Sequence, residues 1–207
     1  IFIGMAAAAL AAGNTVLAKP AEQTPLIAAL AVLMCMTRFS HFGTAIHLPD
    51  ASMAVFFLGG LYVRRHLAFF GYAALAGALD FASVRYAGTS DFCITPAYSF
   101  LLPAYAVLWY AGRLYADRLQ ATAGSLVAAA GVALVANVLS FVISNGAFYW
   151  LGGRYAEPHF AEYVSRLAHW APMFVRTSMA YVGVALVAHL VVARALGQRD
   201  ASRMAGL

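Results

Sequence analysis

Six apolar runs, at about residues 24–39, 51–63, 67–84, 97–111, 122–151 and 172–195, alternate with short polar connections along this chain, and none of the six holds more than two charged residues. Runs of this length and hydropathy predict an all-α integral membrane protein with six transmembrane helices, although 51–63 is short against the about 20 residues that a crossing needs. Pro25 and Pro172 stand where helix starts are expected, because the first turn has no backbone hydrogen bond for proline to remove. The Gly59-Gly60 pair marks a weak point inside the second helix. The chain reads as one membrane domain over 1–207, with a leading segment 1–23, a six-helix core 24–195 and a cytoplasmic tail 196–207. The alanine-rich stretch 1–13 has no basic flank and so lacks the charged start of a secretory signal.

Alternating six helices sorts the basic residues. Lys19, Arg64, Arg65, Arg113, Arg118, Arg194, Arg199 and Arg203 fall on one side, and Arg38, Arg85, Arg154 and Arg166 on the other. The basic excess marks the cytoplasmic face, which puts both termini in the cytoplasm. The connections 40–50, 85–96 and 152–171 then face outward together. They carry His41, His47, Asp50, Asp91, Cys93, Tyr155, His159, Tyr163 and His169, a density of ligands and donors that predicts an outward-facing binding site.

Composition agrees with the pattern. The chain has 207 residues, 63% of them hydrophobic and 10% charged, too little polar surface to cover a soluble globule of that size. Its formal charge of +5 sits in short clusters between apolar runs, as topology signals do, and no nucleic-acid partner is expected. The two cysteines, Cys35 in an apolar helix and Cys93 in a loop, are not expected to pair. Gly-rich phosphate loops, HExxH, GxSxG and paired carboxylates are all missing from the sequence.

Cys93 is the sharpest candidate for chemistry, since a thiol in a polar loop beside a bilayer is a good soft ligand for a metal. Asp80, near the outer end of the third apolar run, needs a partner, because an unpaired carboxylate there is costly. Arg85, Arg176, the Cys93 thiol or a bound ligand could serve. His47, Asp50, Tyr149, Trp150, His159 and Trp170 are weaker candidates for a pocket mouth, and Asn137, Ser140, Ser144 and Asn145 for a polar helix face. Cys35, between Met34 and Met36, reads as helix packing.

Taken together, His41, Asp80, Cys93 and Tyr98, with the segment Asp91-Phe-Cys-Ile-Thr-Pro-Ala-Tyr98, resemble the signature of the BtuM family of small bacterial cobalamin transporters. The resemblance implies an S-component-like bundle, akin to the substrate-binding components of energy-coupling-factor vitamin transporters, with outward-facing binding loops. It implies cobalamin (vitamin B12), or a related corrinoid, as cargo. Cys93 would be the axial cobalt ligand, with His41 a second candidate. His41, Asp80 and Tyr98 would line the site, and thiolate donation through cobalt would assist decyanation of cyanocobalamin. The first helix lacks a clean small-residue repeat, so no dedicated energy-coupling module is expected as a partner, and a monomer in the lipid bilayer is. The competing expectation is a membrane enzyme handling a metal or haem through Cys93 and the outer histidines.

Overall fold

The computed structural model describes residues 24–38 and 48–205, without the side chains of Cys93 and of residues 198–205. Among the described residues the regular structure is entirely helical: α1 (Thr24–Arg38), α2 (Ser52–Leu58), α3 (His66–Tyr86), α4 (Leu101–Tyr115), α5 (Ala123–Leu151) and α6 (Phe160–Ala205). The all-α expectation therefore holds. By length and composition three helical stretches, His66–Tyr86, Ala123–Leu151 and Phe160–Gly197, are long and apolar enough to cross a membrane, while Thr24–Arg38 and Ser52–Val63 are shorter apolar helices.

The Gly59-Gly60 pair does not break the second helix. It opens a π-helical turn, Gly59–Val63, that extends α2 and closes on Arg64, which takes the left-handed conformation (φ 64°) and donates its N–H to the Gly59 carbonyl at 3.0 Å. A helix end in that conformation releases the chain sharply into α3. The glycines are there for contact. A Cβ on Gly60 would overlap the Trp109 carbonyl, and one on Gly112 the Phe57 carbonyl, so α2 and α4 touch backbone to backbone. Around that seam Phe56, Phe69, Tyr72, Tyr105 and Trp109 form an aromatic core, with Phe56 stacked on Tyr105 at 4.0 Å and 12°. Large apolar side chains such as Leu67, Phe81, Leu114, Val127, Val135 and Val184 point outward.

Two expectations about boundaries are corrected. The fourth run begins with a 3₁₀ turn at Pro96–Phe100 and leads through α4 into another at Ala116–Arg118, so it is longer at both ends than 97–111. The last helix begins at Phe160, and Pro172 lies inside it. Tyr163, Arg166 and His169, placed by the sequence in an outer loop, are therefore helical. An interior proline forfeits one backbone hydrogen bond, a loss that a long helix packed against neighbours in an apolar setting tolerates.

Candidate functional site

Where α1, α2, α3 and α4 converge, a single arginine is gripped from several sides. Arg38, the last residue of α1, is 6% exposed. Its Nε and one terminal nitrogen donate to the two carboxylate oxygens of Asp80 on α3 at 2.7 and 2.6 Å. Its other terminal nitrogen donates to Ser52 Oγ and Tyr105 Oη, each at 2.8 Å, and lies 3.5 Å from Asp50. The fork-on-fork geometry with Asp80 is the strong form of the arginine–carboxylate pair. Burial of that guanidinium is sustainable only because its donors are matched in this way.

Each partner is fixed by local structure. Thr37 turns its hydroxyl to the Leu33 carbonyl at 2.9 Å and accepts the Ala51 N–H at 3.1 Å, tying the end of α1 to the start of α2. Asp50 accepts from the Ser52 backbone N–H at 2.9 Å and from the Ser52 hydroxyl at 2.6 Å, an Asx-type start to α2. Tyr181 on α6 donates to the Pro49 carbonyl at 2.8 Å. Tyr98, in the 3₁₀ turn ahead of α4, donates to Asp80 at 2.6 Å. That bond anchors the connection 87–95 to the buried pair. The Asp50 and Asp80 side chains are each 24% exposed, against 6% for Arg38. A cleft of about 220 Å³ borders the centre, lined by Ala73, Ala76, Gly77, Tyr98, Ser99, Leu101, Leu102 and Tyr105.

Of the residues singled out in the sequence, the structure brings Asp80 and Tyr98 into direct contact. His41 lies outside the described residues, as does His47. Cys93 ends the short 3₁₀ turn Asp91–Cys93, with Ile94 N–H returned to the Asp91 carbonyl at 2.8 Å. The partner of Asp80 is corrected: it is Arg38, rather than Arg85 or Arg176. Sequence reasoning missed Arg38, counted as an outer-side topology charge, and Ser52 and Tyr105 as well. The available signal was the need of Asp80 for a cation together with Arg38 at an apolar helix end on the same side. Of the weaker candidates, Asp50 joins the centre. Tyr149, Trp150 and His159 gather instead at the junction of α5 and α6. Asn137 donates to the Ala133 carbonyl within its own helix at 2.7 Å. Cys35 is half-buried, as packing requires. Among the described residues no group of three or more His, Cys, Asp or Glu side chains is placed to hold a metal.

Comparison with known proteins points elsewhere than the sequence resemblance did. Residues 1–41 match the model of the aldehyde dehydrogenase family. The bifunctional protein PutA of Klebsiella aerogenes is 72% identical over 36 residues, and PutA of Escherichia coli (strain K12) 69% identical over 36 residues; each alignment covers 17% of this chain and 3% of the relative. These matches overturn the expected membership of the cobalamin transporter family, and with it the cobalamin-uptake and decyanation function and the likeness to energy-coupling-factor transporters. The chain spans about 3% of the length of the curated relatives it matches. Of the stretch 1–41 the described residues are those of α1, ending in Arg38; the helices that supply Asp80, Tyr98 and Tyr105 lie beyond it.

Proposed function

We propose that this chain is an integral membrane protein of the bacterial inner membrane, with six crossings and both termini cytoplasmic, whose Arg38–Asp80 centre binds a small solute bearing N–H or O–H donors. The observation that carries the reading is the contrast in exposure within one pair: the arginine is sealed at 6% while its carboxylate partner stays 24% open. A charged group kept inside an apolar bundle is costly, and such groups commonly mark binding sites or solute paths. Asp80 already accepts a neutral hydroxyl from Tyr98, so an incoming donor would compete for that oxygen while Arg38 keeps the charge balanced. The bordering cleft of about 220 Å³ lies below the about 300–1,000 Å³ of sites for drug-sized ligands, which favours a solute of few atoms. The experiment is a thermal-shift screen of small polyols, amines and amides against the purified protein in detergent. Stabilising solutes should lose their effect in Asp80→Asn, keep or gain it in Tyr98→Phe, where the competing hydroxyl is gone, and keep it in Asp117→Asn, at the far end of α4. A hit list identical in all the variants would sink the reading.

A second reading rests on the match of residues 1–41 to the aldehyde dehydrogenase family: that the chain takes part in aldehyde oxidation. Oxidation of an added aldehyde by the purified chain, with an added electron acceptor, tests it. Turnover above a heat-inactivated control would support it, and none above that control would remove it.

A further inference from the structure

The junction of α5 and α6 holds a guanidinium of a different kind. Arg166 lies over the ring of Tyr155 at 4.7 Å and that of Tyr149 at 5.9 Å, and its Nε is buried with no hydrogen-bond partner. No carboxylate among the described residues forms an ion pair with it. Glu162, one turn earlier on α6, accepts from Tyr149 at 2.9 Å and faces His159 at 3.8 Å. Tyr149 in turn accepts the His159 N–H at 2.9 Å, which fixes the end of the 152–159 connection and with it the aromatic wall. Tyr163 ties the helices together beside it, donating to the Val142 carbonyl at 3.2 Å with its hydroxyl against Gly146.

An arginine with an unused fork, preorganised by two aromatic rings, is built to receive a planar or tetrahedral oxyanion. The geometry points to Arg166 as a binding site for a phosphate group, gripped by the guanidinium fork, with Tyr149 and Tyr155 as walls. Stacking leaves the guanidinium edge free for such a ligand. Membrane-boundary arginines recognise phosphates in lipid headgroups by the same chemistry, and free phosphate presents it equally.

Two arms separate the sources. In detergent, inorganic phosphate is titrated by calorimetry. In nanodiscs, retention of phosphatidylglycerol against phosphatidylcholine is read by native mass spectrometry. Wild-type protein should bind in at least one arm, more weakly as salt is raised, and Arg166→Gln should weaken that binding by about tenfold or more, as loss of a bidentate charge-assisted contact requires. Saturation in the first arm alone assigns a soluble anion, and selective retention in the second a lipid headgroup. If neither arm shows binding, or Arg166→Gln binds like wild type, the site is refuted. Should Arg166→Gln fail to fold, Arg166→Lys takes its place: it keeps the charge but loses the fork, so a loss of about three- to tenfold supports the site and unchanged affinity refutes it.

Discussion

Replacing Asp80 by Asn keeps the shape and leaves a 6% exposed guanidinium without its principal counter-charge, which should cost about 3–5 kcal/mol of stability. Thermal unfolding in detergent is the measurement, and the double variant Arg38→Met/Asp80→Leu should recover only part of the loss: no guanidinium is stranded, but Asp50 loses its cation and the Tyr98 and Tyr105 hydroxyls lose their partners. Tyr98→Phe removes one hydroxyl from a carboxylate that Arg38 already grips twice, so a loss of about 1 kcal/mol is expected. At this scale the carboxylate was legible and its surroundings were not. A carboxylate in an apolar run announces its need for a partner, whereas Tyr98 was singled out only through the family resemblance and its bond to Asp80 was not foreseen. The identity of the cation was not legible, since Arg38, Arg85 and Arg176 differ only in where the helices lead them, and that depends on crossings which hydropathy does not encode.

Among the elements, the contact of α2 with α4 is the most demanding, and it sets two classes of glycine apart. Gly60→Ala and Gly112→Ala drive a methyl group into a facing backbone carbonyl, which cannot rotate aside, so each should cost about 3 kcal/mol or more or prevent folding. Gly183→Ala in α6 meets nothing within 4 Å and should stabilise by about 0.5–1 kcal/mol through helix propensity alone. Equal losses at all three positions in chemical denaturation would show that the α2–α4 seam is looser than described. The sequence made Gly59-Gly60 visible as an interruption but not its purpose, because a π-turn and a break look alike until the partner, here Trp109, is in place. The proline at 172 misled for a related reason. Proline is a good helix starter, yet Phe160–Ala205 runs straight past it, and the true start lies just after Pro158-His159, where Tyr149 captures the first N–H.

For the molecule as a whole, the claim with most riding on it is which end of the bundle faces out. The Arg38 centre, the 87–95 connection and the Arg166 junction share one end: Arg154 Nε donates to the Phe92 carbonyl at 3.1 Å and its guanidinium covers the Phe92 ring at 5.0 Å, joining the connection after α3 to the one after α5. The opposite end has its own clasp, where Arg64 pairs with Asp117 at 2.7 Å and Arg113 donates to the Arg64 carbonyl. That ion pair is open to solvent, with side chains 42% and 75% exposed, and contributes at most about 1 kcal/mol, so it serves to mark an end more than to hold it. The aldehyde dehydrogenase likeness, confined to residues 1–41, does not bear on orientation, and the basic residues do. In a variant with Cys35 and Cys93 replaced by serine, a single cysteine at the exposed Ala156 should react with an impermeant maleimide added to intact cells, and one at the exposed Gln120 only after the membrane is opened. The inverse pattern would place the Asp80 opening against the cytoplasm, and a solute would then have to reach Tyr98 from inside the cell.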